Sequence, residues 1–415
     1  MDNIIDSIYT RITSTYKNSN DFSILTGSTG KILFLAYLYN ATRRLDVKEY
    51  LENLIEHTIE LITTKNVADL DFTYAGGITG FYWVINHIVQ NALLFNDSKM
   101  LKNLITKDTE LSISESLGID YLNSKYDPLY GYIGKGIYFL SRVESRLADQ
   151  ILLDILINLK KDRIVIDNER TTWMVVSESF DSKEEEKSKL ILGDCGQAHG
   201  ITGIISFLCS VISRNKSKKM VKIALELLPN AVNWLLSSEI PKDQRSHYSF
   251  QATVNLTSKP VYFDNGRLGW CYGDNISAYA LYRAAYILDN LNYRAKAEEI
   301  SLNSCKVPVD RSGVIDREGK KGFNPTLCHG SAGIAMIYKK LYAFNKSPEI
   351  LRAHDFWKTQ TLSQTSEYLA NGNLTSFLEP KQESCDFLYG YSGIGTYLIT
   401  ETYAKFGWEK SLLID

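Results

Sequence analysis

The sequence predicts an all-α fold, an α/α toroid with seven inner and seven outer helices and short β-like excursions. A glycine landmark recurs seven times along the 415 residues, and in six copies it reads Gly-x-x-Gly. An apolar stretch follows each landmark, and amphipathic stretches lie between landmarks. A repeat with room for two helices per unit is typical of helical repeat architectures. The copies begin at Gly27, Gly77, Gly131, Gly200, Gly273, Gly330 and Gly390.

The apolar stretches are predicted to be the inner helices. Residues 32–38 and 204–209 contain no charged side chain, and a helix that is apolar on all sides is buried. Residues 50–63 place Leu and Ile on one face and three glutamates on another, as expected for an outer helix. The glycines would let inner helices begin close to their neighbours. An open solenoid is the alternative architecture.

Two excursions interrupt the repeat, near 162–192 and 246–268. They contain strand-like runs of β-branched and aromatic residues. The runs are Ile164-Val165-Ile166, Trp173-Met174-Val175-Val176, Thr253-Val254-Asn255-Leu256 and Val261-Tyr262-Phe263. Both excursions flank units that carry His199 and Cys271, so they either frame a substrate groove or merely decorate the repeat. With them included, a single toroid domain is expected over residues 1–415.

Composition excludes several classes of partner. Lys and Arg number 46 against 48 Asp and Glu, a formal net charge of −2, which gives no overall attraction for nucleic acid or an anionic membrane. The apolar runs are too short to span a bilayer, and the first residues lack the features of a secretion signal. We therefore expect a soluble cytoplasmic protein without membrane insertion, whose six cysteines remain reduced thiols.

One group of residues points to metal chemistry. Two positions before the landmark glycine, only the fifth and sixth copies carry a thiol, Cys271 and Cys328; one position before it, only the fourth and sixth carry an imidazole, His199 and His329. Equivalent positions in a ring of repeats lie at one height, so Cys271, Cys328 and His329 are expected to converge at one mouth. Two thiolates and an imidazole with an open fourth position are typical of a catalytic zinc site. For each residue alone, core packing is the simpler explanation.

The remaining thiols and imidazoles show no shared pattern. We interpret them as packing or surface residues, although Cys195 lies four positions before His199. They are Cys195, Cys209, Cys305, Cys385, His57, His87, His247 and His354.

Three motifs on this repeat resemble one family. Trp270-Cys271-Tyr272-Gly273, Cys328-His329-Gly330 and Ala198-His199-Gly200 are similar to motifs of the lanthipeptide cyclases, or lanthionine synthetase C-like proteins. The resemblance covers nearly the whole chain. It implies an α/α toroid with one zinc ion that adds peptide cysteine thiols to dehydroalanine or dehydrobutyrine, forming lanthionine or methyllanthionine rings. A dehydrated precursor peptide would be the substrate, and a dehydratase and an exporter are candidate partners.

The resemblance also implies roles for single residues. Cys271, Cys328 and His329 match the zinc ligands. His199 matches an acid/base residue beside the metal, Asp127 matches the active-site aspartate, and Arg267 and Tyr272 match polar residues of the pocket. One departure concerns the start of the fifth inner helix, because Asp274-Asn275-Ile276 stands where the family commonly has x-Pro-Gly.

Several of these roles have alternatives. The sequence Asp-x-Leu-Tyr-Gly-Tyr-x-Gly occurs twice, at Asp127 and Asp386, so a structural role in capping a helix is an alternative for this aspartate. The family match favours Asp127 for function and leaves Asp386 as the structural copy. Arg267 has Asp264 and Asp274 as alternative partners on its own loop, and Tyr272 has simple packing as its alternative.

The expected mechanism uses the metal to ionise a substrate thiol. Attack on the dehydroamino acid places charge on an amide oxygen, for which Arg267 and the N-termini of inner helices are candidate stabilisers. His199 in its protonated form would protonate the α-carbon, and Asp127 would orient it or accept the thiol proton. Two other functions remain open: addition of glutathione to dehydrated proteins, and a non-catalytic peptide-binding scaffold stapled by zinc.

Overall fold

The computed structural model of the chain describes residues 1–15, 20–94, 98–174, 191–240, 246–248, 251–254, 261–262, 267–314, 324–371, 374, 384–403 and 407–415. Seven described helices start directly after the landmark glycines and are buried on nearly all sides. These inner helices are α2 (Ser28–Thr42), α4 (Ile78–Gln90), α7 (Tyr132–Ser141), α9 (Ile201–Arg214), α11 (Asp274–Leu288), α13 (Ser331–Phe344) and α15 (Tyr391–Thr402).

Amphipathic helices cover the outside of this inner set. Each packs against an inner helix through its apolar stripe, as the burial of Leu51, Leu54 and Ile55 in the second of them shows. No described helix combines the length and the low polarity that crossing a bilayer requires. The outer helices are α1 (Asp2–Thr15), α3 (Leu45–Thr63), α6 (Lys107–Leu122), α8 (Arg146–Asp162), α10 (Lys218–Ser237), α12 (Leu291–Ser304) and α14 (Pro348–Asn371), with a short α5 (Ser98–Leu104) before α6.

The inner helices close into a ring. Each contacts the next along the chain, and α15 contacts α2. In the outer layer, α1 packs against α14 and α15, so the N-terminal helix lies beside the last repeat. The predicted α/α toroid is therefore confirmed, and the open solenoid is excluded.

A belt of backbone hydrogen bonds ties the seven landmarks together at one end of the toroid. It joins the residues two positions before each glycine, in consecutive repeats, over 3.0 to 3.4 Å. The N–H groups of Leu25, Ala75, Ala198, Cys271, Cys328 and Leu388 donate to the carbonyls of Ala75, Leu129, Cys271, Cys328, Leu388 and Leu25, respectively. At the remaining junction, between the third and fourth repeats, the N–H of Leu129 donates to the carboxylate of Asp127 over 2.7 Å. The belt sets equivalent residues at one height around the mouth.

The second glycine of the motif is required by close contacts. A Cβ atom on Gly30 would lie 2.5 Å from the carbonyl oxygen of Ile24 and 2.5 Å from Cβ of Phe387 in the neighbouring repeat. On Gly80 it would lie 2.3 Å from the carbonyl oxygen of Tyr74. Since any side chain would push the repeats apart, glycine allows each inner helix to start against the preceding loop.

The fifth repeat begins differently, as its sequence suggested. Gly273 has φ of 154°, a conformation that residues with a Cβ rarely adopt. The carboxylate of Asp274 accepts hydrogen bonds from the hydroxyl of Ser246 and the N–H groups of His247 and Tyr248. Asn275 Oδ1 accepts from the N–H of Gly269. Polar side chains thus shape a helix entry that lacks the second glycine.

Short antiparallel strands lie in both excursions. Strand β1 (Ile164–Val165) pairs with β2 (Thr171–Thr172), and a three-stranded sheet has the order β3 (Ile191–Asp194), β4 (Gln251–Val254), β5 (Val261–Tyr262). Met174 bridges to Gly193 and so connects the two sheets. The predicted strand residues Val175, Val176, Asn255, Leu256 and Phe263 lie outside the described residues.

The C-terminal segment lies inside the ring. After a 3-10 helix, Trp408–Leu412, the chain runs to Asp415, which contacts the buried guanidinium of Arg283 on α11 at 2.6 Å. The carbonyl of Leu412 accepts from Nε1 of Trp270 over 3.0 Å and from Nε2 of Gln197 over 3.2 Å. This segment therefore braces, from within, the loops that carry the fourth and fifth landmarks.

Candidate functional site

The two thiols predicted from the repeat lie next to each other. The N–H of Cys271 donates to the carbonyl of Cys328 over 3.2 Å, and both residues are buried. Their sulfur atoms and a ring nitrogen of His329 all lie within 4.8 Å of one another. Nδ1 of His329 is itself buried and makes no hydrogen bond within the described part of the chain. Two thiols and a ring nitrogen at this spacing fit a zinc ion with tetrahedral geometry.

Arg267 and Tyr389 surround the thiols with hydrogen-bond donors. Nη2 of Arg267 lies 2.8 Å from the sulfur of Cys271, and the hydroxyl of Tyr389 donates to Cys328. Burial opposes ionisation of Cys271, yet hydrogen bonds from Cys328 and His329 and the charge of Arg267 hold its pKa well below the ordinary value. The pocket thus favours a thiolate at this position before any cation is considered.

Arg267 faces the thiol cluster. Its guanidinium also lies 5.7 Å from the ring centroid of Tyr272. Of the two alternative partners expected on its loop, Asp274 binds residues 246–248, and Asp264 lies outside the described residues.

His199 and Asp127 form a pair at the junction between the third and fourth repeats. Nδ1 of His199 donates to Oδ2 of Asp127 over 2.6 Å, and the imidazole stacks on Tyr130 with 6.3 Å between ring centroids. Burial disfavours the imidazolium, but the hydrogen bond to Asp127 and the charges of Asp127 and Asp194 outweigh it and raise the pKa of His199. The imidazole is therefore held in a form that can donate a proton near neutral pH.

Tyr272 connects the metal loop to the fourth repeat. Its hydroxyl donates to Oδ2 of Asp194 over 2.7 Å, and Oδ1 of Asp194 accepts from the N–H of Gly196 over 2.6 Å. Burial raises the pKa of Asp194 to about 6. Tyr272 thus does more than pack, because it joins the loop of Cys271 to the loop of His199.

The seven predicted site residues gather at one mouth, on loops joined by the belt. The N–H groups of Gln197 and Ala198 both donate to the carbonyl of Cys271, so the loop of His199 lies against the thiol cluster. The inner helices begin at this mouth, and their N-termini direct partial positive charge towards it. The arrangement brings three possible ligands for a cation together with an imidazole that is hydrogen-bonded to a carboxylate and with the guanidinium of Arg267.

The thiols and imidazoles without a pattern lie elsewhere. Cys195 is buried with its sulfur 3.7 Å from the hydroxyl of Ser238. His87 stacks on Trp83, and burial lowers its pKa to about 3. His247 lies near Glu239 and Glu299 in a second group of possible ligands. The amine of Lys296 lies 2.7 Å and 3.0 Å from those two carboxylates, so it already supplies the positive charge of that cluster.

Asp194, Tyr130 and Tyr389 also lie at the site but were not predicted as site residues. The two tyrosines stand one position before their landmark glycines, as His199 and His329 do. That shared position was the signal that could have identified them. Asp194 gave a weaker signal, because Asp21 and Asp71 occupy the same position in other repeats and each accepts hydrogen bonds from its own turn.

Comparisons with known proteins identify the family and the fold. The profile of the lanthionine synthetase C-like protein family matches residues 18–406. The nisin biosynthesis protein NisC of Lactococcus lactis subsp. lactis is 24% identical over 428 residues, covering 96% of this chain and 92% of that protein. The structure of nisin cyclase superposes with a TM-score of 0.70 at 19% identity, covering 99% of this chain and 96% of the other.

The family match spans most of the chain, and the structural match shows the same toroid. The residues that carry the three motifs also lie together at one mouth of that toroid. The chain belongs to the lanthionine synthetase C-like family.

Proposed function

We propose that the protein is a zinc-dependent lanthipeptide cyclase that closes lanthionine and methyllanthionine rings in a dehydrated precursor peptide. The observation that carries the proposal is the convergence of Cys271, Cys328 and His329 within 4.8 Å, beside the pair formed by His199 and Asp127. Three protein donors leave a tetrahedral cation one position for a substrate thiol.

Cys271, Cys328 and His329 would hold the zinc ion. The ion would lower the pKa of a peptide cysteine and so supply a thiolate at neutral pH. Two sulfur ligands from the protein suit this task, because soft, negatively charged donors leave electron density on a third sulfur. Arg267, 2.8 Å from Cys271, offsets part of the negative charge of the cluster.

His199 would complete the addition. A bond forms between the substrate sulfur and the β-carbon of the dehydroamino acid, the carbon–carbon π bond breaks, and charge moves to the neighbouring amide oxygen. Arg267 and the N-termini of the inner helices would supply the positive charge that stabilises that oxygen. The imidazolium of His199 gives its proton to the α-carbon, and Asp127 holds the ring in orientation through Nδ1.

The substrate and setting follow from this chemistry. A peptide with a free cysteine and a dehydrated Ser or Thr is required, so a dehydratase acts earlier and an exporter is a candidate later partner. Free thiols on enzyme and substrate suit a reducing cytoplasm. All six cysteines are free in the structure, in keeping with that compartment.

The direct test is a ring-closure assay. The purified protein, with and without zinc, is incubated with a dehydrated precursor peptide that carries free cysteines, and the thiols still open to alkylation are counted by mass spectrometry. Addition leaves the peptide mass unchanged, so loss of alkylatable thiols measures cyclisation. Loss that requires both protein and zinc supports the proposal. Thiols that stay open would favour the peptide-binding scaffold, and transfer of added glutathione to the peptide would favour the alternative enzyme.

Ligand substitutions test the metal site separately. Cys328→Ala removes one sulfur donor and should abolish zinc binding and ring closure, whereas His199→Ala should keep zinc and slow ring closure. Cys195→Ala is the matched control, because this buried thiol lies outside the cluster. Full zinc occupancy in the Cys328 variant, measured by elemental analysis, would disprove the ligand assignment.

A further inference from the structure

A cleft leads away from the mouth on the side of the third repeat. Its volume is about 640 Å³, within the range of roughly 300–1,000 Å³ that ligand sites occupy. The cleft is lined by Asp127, Tyr130 and His199, by residues at the end of α6, and by Met174. The cleft is therefore continuous with the proposed reaction centre.

The walls of the cleft expose apolar side chains. Ile119 is 68% exposed, Met174 46% and Tyr130 41%, which is unusual for large apolar groups gathered in one concave site. Asp120, which also lines the cleft, forms an ion pair with Lys135 over 2.7 Å, so the charge of this carboxylate is balanced. Lys125 and Asp127 line the cleft too, but its exposed apolar side chains suit a segment that carries an apolar side chain.

The position of the cleft distinguishes the two reacting arms of the peptide. The substrate thiol must reach the cluster of Cys271 and Cys328, which is buried. The α-carbon of the dehydroamino acid must reach His199, whose side chain is 35% exposed and faces the cleft. The residues between the dehydroamino acid and the cysteine lead to the thiol cluster, so the segment on the other side of the dehydroamino acid is the one that can enter the cleft, which His199 and Tyr130 both line.

We propose that this cleft binds the peptide segment directly before the dehydroamino acid, and that Ile119, Tyr130 and Met174 hold an apolar side chain of that segment. The inference rests on the proposed function and extends it, because it names a determinant of which dehydrated residues react. Peptides with an isoleucine before the dehydroamino acid are preferred over peptides with a glycine there.

The test uses the full-length zinc-loaded protein and two leaderless synthetic probes. Acetyl-Ile-dehydroalanine-Ala-Ala-Cys-amide and its counterpart with Gly in place of Ile differ only in the residue before the acceptor. The wild type should close the Ile probe with kcat/KM about tenfold higher. Met174→Glu and Ile119→Glu should reduce that ratio towards one. Leu291→Glu, which replaces an exposed leucine on α12, should keep the tenfold ratio.

The outcomes separate the two proposals. Equal turnover of both probes by the wild type, or a full ratio in both cleft variants, overturns the cleft assignment. Slower turnover of the leader-bearing precursor in the variants with an unchanged probe ratio also overturns it and assigns the cleft to the leader. If only the full precursor is cyclised, the Ile and Gly residues are compared within that precursor under the same criteria. Failure of the wild type on every substrate contradicts the proposed function instead.

Discussion

Two copies of Asp-x-Leu-Tyr-Gly-Tyr-x-Gly, at Asp127 and Asp386, place the same carboxylate in different surroundings. In both copies one oxygen caps the turn before an inner helix: Oδ1 of Asp127 accepts from the N–H of Tyr130 over 2.9 Å, and Oδ1 of Asp386 accepts from the N–H of Tyr389 over 2.6 Å. The structural role that the repeated sequence suggested is therefore common to both.

The two copies differ in what the second carboxylate oxygen, Oδ2, binds. Oδ2 of Asp386 accepts from the hydroxyl of Ser384 over 2.5 Å and is buried. Oδ2 of Asp127 binds His199 over 2.6 Å, and this side chain is 25% exposed. The residue two positions before the aspartate is Ser384 in one copy and Lys125 in the other, so only the first has a hydroxyl to occupy the oxygen.

The backbone belt differs at the same two places. The N–H of Leu388 donates to Leu25 in the next repeat, whereas the N–H of Leu129 donates to Asp127. At the junction between the third and fourth repeats, side chains of Asp127 and His199 therefore replace the backbone link. In the third repeat, Asp127 therefore keeps its capping role through Oδ1. Its second oxygen, Oδ2, binds His199 of the neighbouring repeat.

The same substitution, aspartate to asparagine, in both copies tests whether the two carboxylates differ in function. Asp127→Asn should slow ring closure roughly 100-fold or more, because the amide no longer stabilises the imidazolium of His199. Asp386→Asn should leave the rate within about twofold of the wild type, since its second oxygen binds Ser384 rather than a site residue. Single-turnover kinetics on the dehydrated precursor, with zinc content measured in parallel, check both. Equal losses would mean that both aspartates act only as caps.

The pH profile tests how Asp127 acts. The hydrogen bond and charge of Asp127 raise the pKa of His199 against the opposing effect of burial. If the imidazolium donates the proton, the rate falls as pH rises through that raised pKa. Asp127→Asn should move this fall to lower pH, and Asp386→Asn should not move it. An unshifted profile in the Asp127 variant would contradict a proton-donating role for His199 supported by this carboxylate.

Much of the site was predictable from sequence, because residues at equivalent positions of consecutive repeats lie next to each other in the ring. Cys271 and Cys328 were expected to meet because both stand two positions before their glycines, and His329 follows Cys328 directly. The belt places equivalent positions at one height, and the three ligand atoms lie together. The link between Tyr272 and Asp194 was not predictable, because it depends on which side-chain oxygen remains unoccupied after the turns form. The C-terminal brace beneath Trp270 was also missed, since no repeat pattern marks residues 408–415.

Asp386, which should have little effect on ring closure, should affect the free energy of unfolding. Burial raises the pKa of Asp386 to about 6, compared with about 3.9 in an unfolded chain. Between these values the folded state keeps a proton that the unfolded state has lost, so the free energy of unfolding falls as pH rises. Asn cannot ionise, so Asp386→Asn should gain on the order of 2 kcal/mol relative to the wild type between pH 4 and 7. Urea unfolding at both pH values checks this, and a constant difference would refute it.

The smallest expected effect on ring closure concerns Lys125, which has no hydroxyl to donate to Oδ2 of Asp127. The carbonyls of Lys125 and Ser384 accept equivalent hydrogen bonds, from the N–H groups of Tyr132 and Tyr391, so the two residues hold matching places. Lys125→Ser would offer Asp127 the same hydroxyl that Ser384 offers Asp386, weaken the hold on His199, and slow ring closure by roughly threefold to tenfold. Lys125→Ala removes the charge without adding a donor and serves as the control. If both variants lose the same activity, the lysine acts through its charge, and the missing hydroxyl does not explain why this copy binds His199.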